Sequence, residues 1–236
     1  MSQNSFDLAA LAAYLHLTPE KVRRMADRGI LPGRKIGGEW QFAEADIHHW
    51  LEDQIGAYDE QELVQVESLL ERAEPSVAPT RISQMIPEGG IDPALPARTR
   101  QSVISEICKL GMMTGMLWDP DKMQQAVRAR ESLHPTALDN GVALLHPRRP
   151  MPGILAEGFI LLGRTPQGIP FGGGCLTDLF FLICSTSDSE HLKVLARLSR
   201  LLTSDNVVDQ LRRAADATEM REIIEEQDEI FEQQGQ

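Results

Sequence analysis

Three uninterrupted apolar runs constrain the fold of this 236-residue chain more than any other feature. They are "VALL" at residues 142–145, "GFILLG" at 158–163 and "DLFFLICST" at 178–186. Apolar runs of this length, bounded by Gly, Pro and polar residues, predict buried β-strands. Because helical segments alternate with them, residues 81–236 are predicted to form one α/β layered domain that is long enough to bury its own core.

The helices of this domain are predicted from their apolar periodicity and their capping residues. The segments 99–117 and 119–133 each repeat apolar residues at helical spacing, and Asp119 is the predicted N-cap of the second. A third helix is predicted to begin at Asp188 or Ser189, which are its candidate N-caps. Two acidic helices are predicted to finish the chain.

The glycine-rich turn predicted at residues 168–175 does not carry a phosphate-binding pattern. It has neither the GxxxxGK[ST] of a P-loop nor the GxGxxG of a dinucleotide site. The chain also has no HExxH pattern or Cys/His pairs for a metal ion, and no GxSxG pattern for a serine nucleophile. The sequence therefore predicts no metal site and no cofactor.

The three cysteines indicate the compartment of the protein. Cys108, Cys175 and Cys184 are widely separated and odd in number, which excludes a disulfide framework and favours a reducing compartment. Cys175 and Cys184 have apolar neighbours and are predicted to be core residues. No apolar stretch approaches the roughly 20 residues of a membrane helix, and residues 1–10 do not resemble a signal peptide. We therefore expect a cytoplasmic protein with no membrane segment.

Residues 1–56 are predicted to form a separate, mostly helical unit. Asp7 can cap a first helix, Thr18 can cap a second, and Gly29 can end the second. The glycine pair in "RKIGGEWQF" predicts a two-residue β-hairpin, and a third helix follows it. The hairpin side chains predicted to pack against the helices are Ile36, Trp40 and Phe42.

This order of helices and hairpin resembles the winged helix-turn-helix domains of the excisionase and MerR-like families. The pattern "LAAYLxLTPExVRRMxxRGxLPGRKIGGEWxF", followed by "DIxxWL", carries the resemblance over about residues 6–52. It implies that the second helix enters a DNA major groove and that the hairpin lies on the backbone or in the adjacent minor groove. The candidate DNA-binding residues are Lys21, Arg23, Arg24, Arg28 and Lys35.

The charge distribution leaves two functions open for this unit. A net charge of −12 argues against general nucleic-acid affinity, but basic residues outnumber acidic ones between Glu20 and Gly38. Glu39 and Gln41 stand in the hairpin where relatives often carry Arg, and a carboxylate that faces phosphates weakens binding. The unit is predicted to bind DNA, and the alternative is a winged helix that contacts another protein.

Residues 57–80 are predicted to form an acidic amphipathic helix followed by the proline-containing connector "EPSVAPT". Leu63, Val66, Leu70 and Ala73 share one face of this helix. That face either packs on a neighbouring domain or pairs two copies of the chain as a homodimer.

The first apolar run ends on His146, which a Pro-Arg-Arg segment follows. An imidazole has an ordinary pKa near 6.5, so much of it is neutral at pH 7 and can accept a phosphoryl group covalently. Cations and helix N-termini can stabilise the charge that gathers there. Arg130, late in the preceding helix, and His191, in the first turn of a later helix, are candidates for this role. The alternative is a solvated histidine followed by solvated loop arginines.

A second resemblance joins these residues. The stretches "AVRARESLHPTALDNGVALLH", "GIPFGG" and "DLFFLICSTSDSEHLKVLARLSRLL" resemble the enzyme IIA domain of the fructose, mannitol and nitrogen-regulatory type, from the phosphoenolpyruvate-dependent phosphotransferase system. Over residues 81–230 the resemblance implies a mixed β-sheet flanked by helices. It implies that His146 is phosphorylated by an upstream histidine phosphocarrier protein, and that Arg130 and His191 support the phosphoryl group. The family usually reads Ile-Pro-His and then a small residue, whereas this chain reads Leu-Leu-His and then Pro147, which has no backbone N–H.

Three functions are compatible with both resemblances. The first is a regulatory phosphocarrier whose winged helix binds DNA, and we favour it. The second is a IIA phosphocarrier whose winged helix recruits a protein partner. The third is a transport component that passes phosphate to a sugar permease, although no IIB cysteine motif, IIC membrane segment or second carrier domain is present in this sequence.

Overall fold

The computed structural model describes residues 5–15, 17–55, 63–64, 81–172 and 174–234, apart from the side chains of residues 45, 48, 52–55 and 205. The chain forms two compact units, an N-terminal unit (Met1–Val77) and a C-terminal unit (Ala78–Gln236). The described elements of the N-terminal unit are β1 (Ser5–Asp7), α1 (Leu8–Tyr14), α2 (Pro19–Asp27), β2 (Arg34–Ile36), β3 (Glu39–Ala43) and α3 (Glu44–Ile55).

The capping residues predicted for the N-terminal unit are confirmed. The Asp7 side chain accepts the backbone N–H of Ala10 at 2.7 Å and so begins α1. The Thr18 hydroxyl accepts the N–H of Lys21 at 3.3 Å at the start of α2. Gly29 has φ +72° just beyond α2, a conformation that glycine adopts without steric cost.

The predicted β-hairpin is also confirmed, with positive φ at both glycines of its turn, Gly37 and Gly38. A third strand, β1, pairs with β3 and completes a sheet of order β1-β3-β2, which the sequence did not reveal. Phe42 is fully buried, but Ile36 is 56% exposed, so the prediction that Ile36 packs on the helices is wrong. Ile36 pairs with Glu39 directly beside the turn and therefore lies too far along the hairpin to reach them.

Most of the helix predicted at residues 57–80 lies outside the described residues. Leu63 and Val64 are helical, and Leu63 is buried. The pairing of two chains through the remaining apolar positions stays a prediction.

The C-terminal unit is a mixed sheet between helices. Its described elements are α4 (Ile82–Met85), β4 (Ile91–Asp92), α5 (Arg100–Met113), α6 (Pro120–Leu133), β5 (Val142–Leu145), a 3-10 turn (Pro152–Ile154), β6 (Phe159–Pro170), β7 (Leu176–Cys184), α7 (Asp188–Leu202), α8 (Asp205–Arg213) and α9 (Ala217–Gln234). The strand order is β4-β6-β7-β5. The β6–β7 pair is antiparallel, while β4 is parallel to β6 and β5 is parallel to β7. The three strands predicted from apolar runs are confirmed, and β6 continues well beyond its run.

The sheet separates two helical layers. Alternate residues of β5, β6 and β7 form one apolar cluster with α5 and α6, and this cluster includes Leu145, Leu161, Leu182, Val103 and Val127. The intervening residues of the strands are buried as well, and α7 contacts β7 without joining that cluster. Because successive strand residues point to opposite faces, α7 covers the other face of the sheet.

Two predictions about the last helices are wrong. The N-cap of α7 is Ser187, whose hydroxyl accepts the N–H of Glu190 at 3.2 Å, rather than Asp188 or Ser189. The backbone is still extended at Ser187 and becomes helical at the next residue, which makes Ser187 the capping position. Only α9 is strongly acidic, since α8 ends in Arg212 and Arg213.

The cysteines occupy two environments. Cys108 and Cys184 are fully buried in the apolar cluster. Cys175 is exposed, so its predicted place in the core is wrong. It lies in the turn between β6 and β7, where its Sγ donates to the carbonyl of Asp139 at 3.0 Å.

We predict that iodoacetamide at pH 8 alkylates the native protein at Cys175 only. Burial raises the pKa of the Cys108 thiol to about 12 and raises the pKa of the Cys184 thiol well above its ordinary value. Because the thiolate is the reactive form, both buried cysteines should stay unmodified until the fold is lost. Intact mass and peptide mapping measure this. The control is the denatured protein, in which all three cysteines react. Alkylation of either buried thiol in the native protein would contradict the core described above.

Candidate functional site

Two imidazoles meet where β5 ends and α7 begins. His146 follows the last residue of β5 and lies on the same side of the sheet as Leu144, the side covered by α7. His191 lies in the first turn of α7. The ring centroids are 4.9 Å apart, with 50° between the ring planes. The side chains are buried, with exposed fractions of 2% and 5%. The structure therefore brings together two of the residues that the sequence singled out.

A backbone carbonyl sets the tautomer of His146. The Nδ1 atom of its ring is 2.8 Å from the carbonyl oxygen of Leu144. A carbonyl oxygen only accepts, so Nδ1 carries the hydrogen and the lone pair of the neutral ring is on Nε2. Nε2 of His146 is buried, and the ring lies on the side of the sheet that faces α7.

Arg130 is buried near the end of α6, and its Nη1 donates to the carbonyl of His134 at 2.9 Å. The segment after α6 runs antiparallel to β5, with Ala137 opposite Ala143. In this antiparallel alignment, position 134 falls opposite position 146, three residues away from the Ala137–Ala143 pair. The backbone of His134 is therefore at the level of His146. The guanidinium of Arg130 is thus held at the end of β5 that carries the histidine.

Glu131 is an organising residue that the sequence reasoning missed. Its carboxylate is 2% exposed, accepts from Arg100 Nη2 at 2.6 Å and accepts the backbone N–H of Thr136 at 3.1 Å. These bonds tie the segment that follows α6 to the start of α5. A signal was present in the sequence, because an acidic residue in the last turn of a helix is disfavoured by the helix dipole and needs a cationic partner.

The Asn-Gly turn before β5 has a structural role. Gly141 has φ +81°, and a side chain there would meet the carbonyl oxygen of Leu176. Asn140 Nδ2 donates to the carbonyl of Leu202 at 2.9 Å, while Arg212 binds both the carbonyl of Asn140 and the carboxylate of Asp178. These contacts fix where β5 begins and hence where His146 is delivered.

The residues after His146 differ in burial. Pro147 is buried, whereas Arg148 and Arg149 are exposed, as solvated loop side chains would be.

Within the described ranges, no group of three or more His, Cys, Asp or Glu side chains could hold a metal ion.

The candidate DNA-binding residues lie on the surface of the N-terminal unit. Helix α2 buries Val22 and Ala26, and the candidate basic residues of the helix and its end are exposed: Lys21, Arg23, Arg24 and Arg28. Lys35 is exposed too, but its Nζ is 3.2 Å from the Asp27 carboxylate and 4.9 Å from the ring centroid of Trp40. The Trp40 Nε1 donates to the same carboxylate at 3.3 Å, so Asp27 ties the hairpin to α2.

Two protein families match the chain. The family described as phosphoenolpyruvate-dependent sugar phosphotransferase system, EIIA 2, matches residues 84–227. The family described as a helix-turn-helix domain matches residues 6–55.

Within the described residues, no helix is both long and apolar enough to cross a membrane.

Individual proteins match the C-terminal unit. The nitrogen regulatory protein of Bradyrhizobium diazoefficiens is 29% identical over 148 residues, which cover 61% of this chain and 94% of that protein. The multiphosphoryl transfer protein of Vibrio cholerae is 33% identical over 100 residues, which cover 42% of this chain but only 25% of that protein. The crystal structure of the nitrogen regulatory protein IIA-Ntr from Neisseria meningitidis has the same fold, with a TM-score of 0.52 at 21% identity, over 61% of this chain and 98% of that one.

We predict that Glu131→Ala lowers the free energy of unfolding by about 3 kcal/mol, because it leaves a partly buried guanidinium and a backbone N–H without their acceptor. The value lies at the low end for a buried pair, since Arg100 can reach solvent. Urea unfolding followed by circular dichroism measures it. The exposed Glu225→Ala is the control and should stay within about 0.5 kcal/mol of the wild type. A loss for Glu131→Ala as small as that of the control would show that the carboxylate does not organise this segment.

Proposed function

Since this chain belongs to the EIIA 2 family of the phosphoenolpyruvate-dependent sugar phosphotransferase system, we propose that its C-terminal unit carries a phosphoryl group on His146. The observation that carries the proposal is the buried His146–His191 pair at the end of β5. The proposed domains are a winged helix-turn-helix domain at residues 1–56, a linker at 57–80 and the IIA domain at 81–236.

The proposed reaction is an in-line phosphoryl transfer from an upstream histidine phosphocarrier protein. The lone pair on Nε2 of His146 attacks the phosphorus atom, the P–N bond of the donor breaks, and its electron pair returns to the donor imidazole. The hydrogen stays on Nδ1 of His146 and is donated to the carbonyl oxygen of Leu144, which stabilises the positive charge that develops on the ring. His191 and Arg130 supply N–H donors to the phosphoryl oxygens.

The burial of His146 adds a requirement to this mechanism. The ring is 2% exposed, so the donor reaches Nε2 only after the residues that cover it have moved. The transfer therefore includes a local opening of the structure around His146.

For the N-terminal unit we propose DNA binding through α2 and the hairpin. The helix-turn-helix family match and the exposed basic residues of α2 support this proposal. Lys35 would exchange the Asp27 carboxylate for a DNA phosphate. The exposed Glu39 of the hairpin supports the alternative, in which this unit recruits a protein. Together the two units would make a regulatory phosphocarrier whose DNA binding responds to its phosphorylation state.

We predict that His146→Ala abolishes labelling by phosphoenolpyruvate and a reconstituted phosphocarrier cascade, because the variant has no acceptor nitrogen. His191→Ala and Arg130→Ala should each slow labelling by about 100- to 1000-fold, the usual effect of losing one preorganised donor. Intact mass against time measures both effects. His49→Ala, on α3 of the N-terminal unit, is the control and should label at the wild-type rate. A wild type that stays unlabelled would rule out the carrier function, and unchanged rates in both donor variants would rule out their assigned roles.

We predict weak, salt-sensitive DNA binding by the full chain. If about four basic side chains contact phosphates, log K falls with log salt at a slope of about −3 to −4. The double variant Arg23→Ala/Arg24→Ala should bring the slope to about −2, and Glu39→Arg should strengthen binding. Fluorescence anisotropy at several salt concentrations measures this.

The control for the DNA experiment is Arg213→Ala, which removes an exposed arginine from α8 and should leave the slope unchanged. A slope that does not respond to the α2 double variant would favour protein recruitment. The same titration with phosphorylated protein tests the regulatory link, for which we expect a change of about 5- to 150-fold in DNA affinity.

A further inference from the structure

Ser185 lies beside the two histidines, and its hydroxyl has not yet been given a role. It follows the last residue of β7. The parallel alignment of β5 with β7 sets Leu145 opposite Leu182, so His146 is level with Ile183 and Ser185 is two residues further along the neighbouring strand. For regular strands this offset separates the Cα atoms of His146 and Ser185 by about 8 Å, which an imidazole and a phosphoryl group together can span.

The side chain of Ser185 also faces the correct side of the sheet. Leu182 and Cys184 belong to the apolar cluster with α5 and α6. The alternation of strand residues therefore turns Ser185 to the opposite side, which is covered by α7 and carries His146 and His191.

The hydroxyl of Ser185 is buried and unsatisfied. The residue is 2% exposed, and in the part of the chain that the structure describes its Oγ has no hydrogen-bond partner. Keeping a buried hydroxyl without a partner is costly, and alanine would remove the cost without leaving a large cavity. A ligand that accepts a hydrogen bond from the Ser185 hydroxyl would explain why a serine is present at this position.

The residue after the acceptor supplies a reason for such a donor. Pro147 is buried and has no backbone N–H, so the chain cannot offer a main-chain donor immediately after His146. A phosphoryl group bound at Nε2 of His146 brings oxygens that need donors in a buried site.

We propose that the hydroxyl of Ser185 is a third phosphoryl-binding group of this site, an inference that rests on the proposed phosphorylation of His146. Its O–H donates a charge-assisted hydrogen bond to a phosphoryl oxygen while the P–N bond to Nε2 forms, and it keeps its proton throughout. It acts beside His191 and Arg130 and takes the place of the main-chain donor that Pro147 removes.

The test compares Ser185→Ala with Ser199→Ala in the full chain. Ser199 is a matched control, because its Oγ is also buried without a partner among the described residues. It lies eight residues beyond His191 on α7, about 12 Å along the helix axis and away from the acceptor. Neither variant should lower the thermal midpoint of unfolding, since each removes an unsatisfied hydroxyl.

Each protein is phosphorylated in two ways, by the phosphocarrier cascade and by phosphoramidate, a small reagent that phosphorylates histidine without a protein donor. Intact mass gives the rate, and ³¹P NMR identifies the phosphohistidine. We expect Ser185→Ala to label about 10- to 100-fold more slowly than the wild type with both donors, and Ser199→Ala to label at the wild-type rate.

Equal rates for the wild type and Ser185→Ala would overturn the inference, as would equal slowing by the Ser199 control. Labelling of the wild type by phosphoramidate but not by the cascade would overturn the proposed donor alone and leave the Ser185 comparison valid. A wild type that neither donor phosphorylates would overturn both the proposed function and the role of Ser185.

Discussion

The parallel pairing of β5 with β7 is the interaction on which the rest of the C-terminal unit depends. Because the strands run the same way, their carboxyl ends lie at one edge of the sheet. One strand ends there on His146, and the other continues through Ser185 into the first turn of α7, where His191 lies. Three residues that are up to 45 positions apart in the chain thus share one small volume. A reversed β5 would deliver His146 to the opposite edge.

This arrangement requires α7 to be held firmly on the face of the sheet. The side of α7 away from the strands carries Arg197 and Arg200, which are buried with their guanidinium groups 4.5 and 3.9 Å from the ring centroid of Phe231 on α9. Asp228 on α9 is fully buried and accepts both the N–H and the hydroxyl of Ser83 on α4. The cation–π contacts, together with an ion pair of 3.7 Å between Arg197 Nε and the Asp228 carboxylate, add to the apolar packing of α7. They fix α7, and through it the position of His191 against His146.

In the smaller N-terminal unit, the β-hairpin is held against the helices by different contacts. Phe42 anchors the hairpin in a small core, and on the surface the Asp27 carboxylate of α2 binds Lys35 and Trp40. An exposed ion pair of this kind contributes little stability. It can therefore be exchanged for contacts with a partner without unfolding the unit, which suits a surface that is proposed to bind phosphates.

The sequence by itself determined most of the helices of this protein, its hairpin and three strands of its larger sheet. Apolar runs located the strands, Asp7, Thr18 and Asp119 located helix starts, and a family pattern selected His146 from six histidines. These signals are local, because a capping residue or an apolar run determines only the structure of the few residues around it. Only the tertiary structure decided what lies beside His146. Ser185 resembles an ordinary surface residue in the sequence, and Cys175 resembles a core residue. The place of Glu131 late in a helix signals a cationic partner but does not say which residue it is. The environments of these three residues are set by residues distant in the chain, such as Arg100 for Glu131 and Asp139 for Cys175, and by the strand pairing that places Ser185. These long-range contacts leave no periodic trace in the chain.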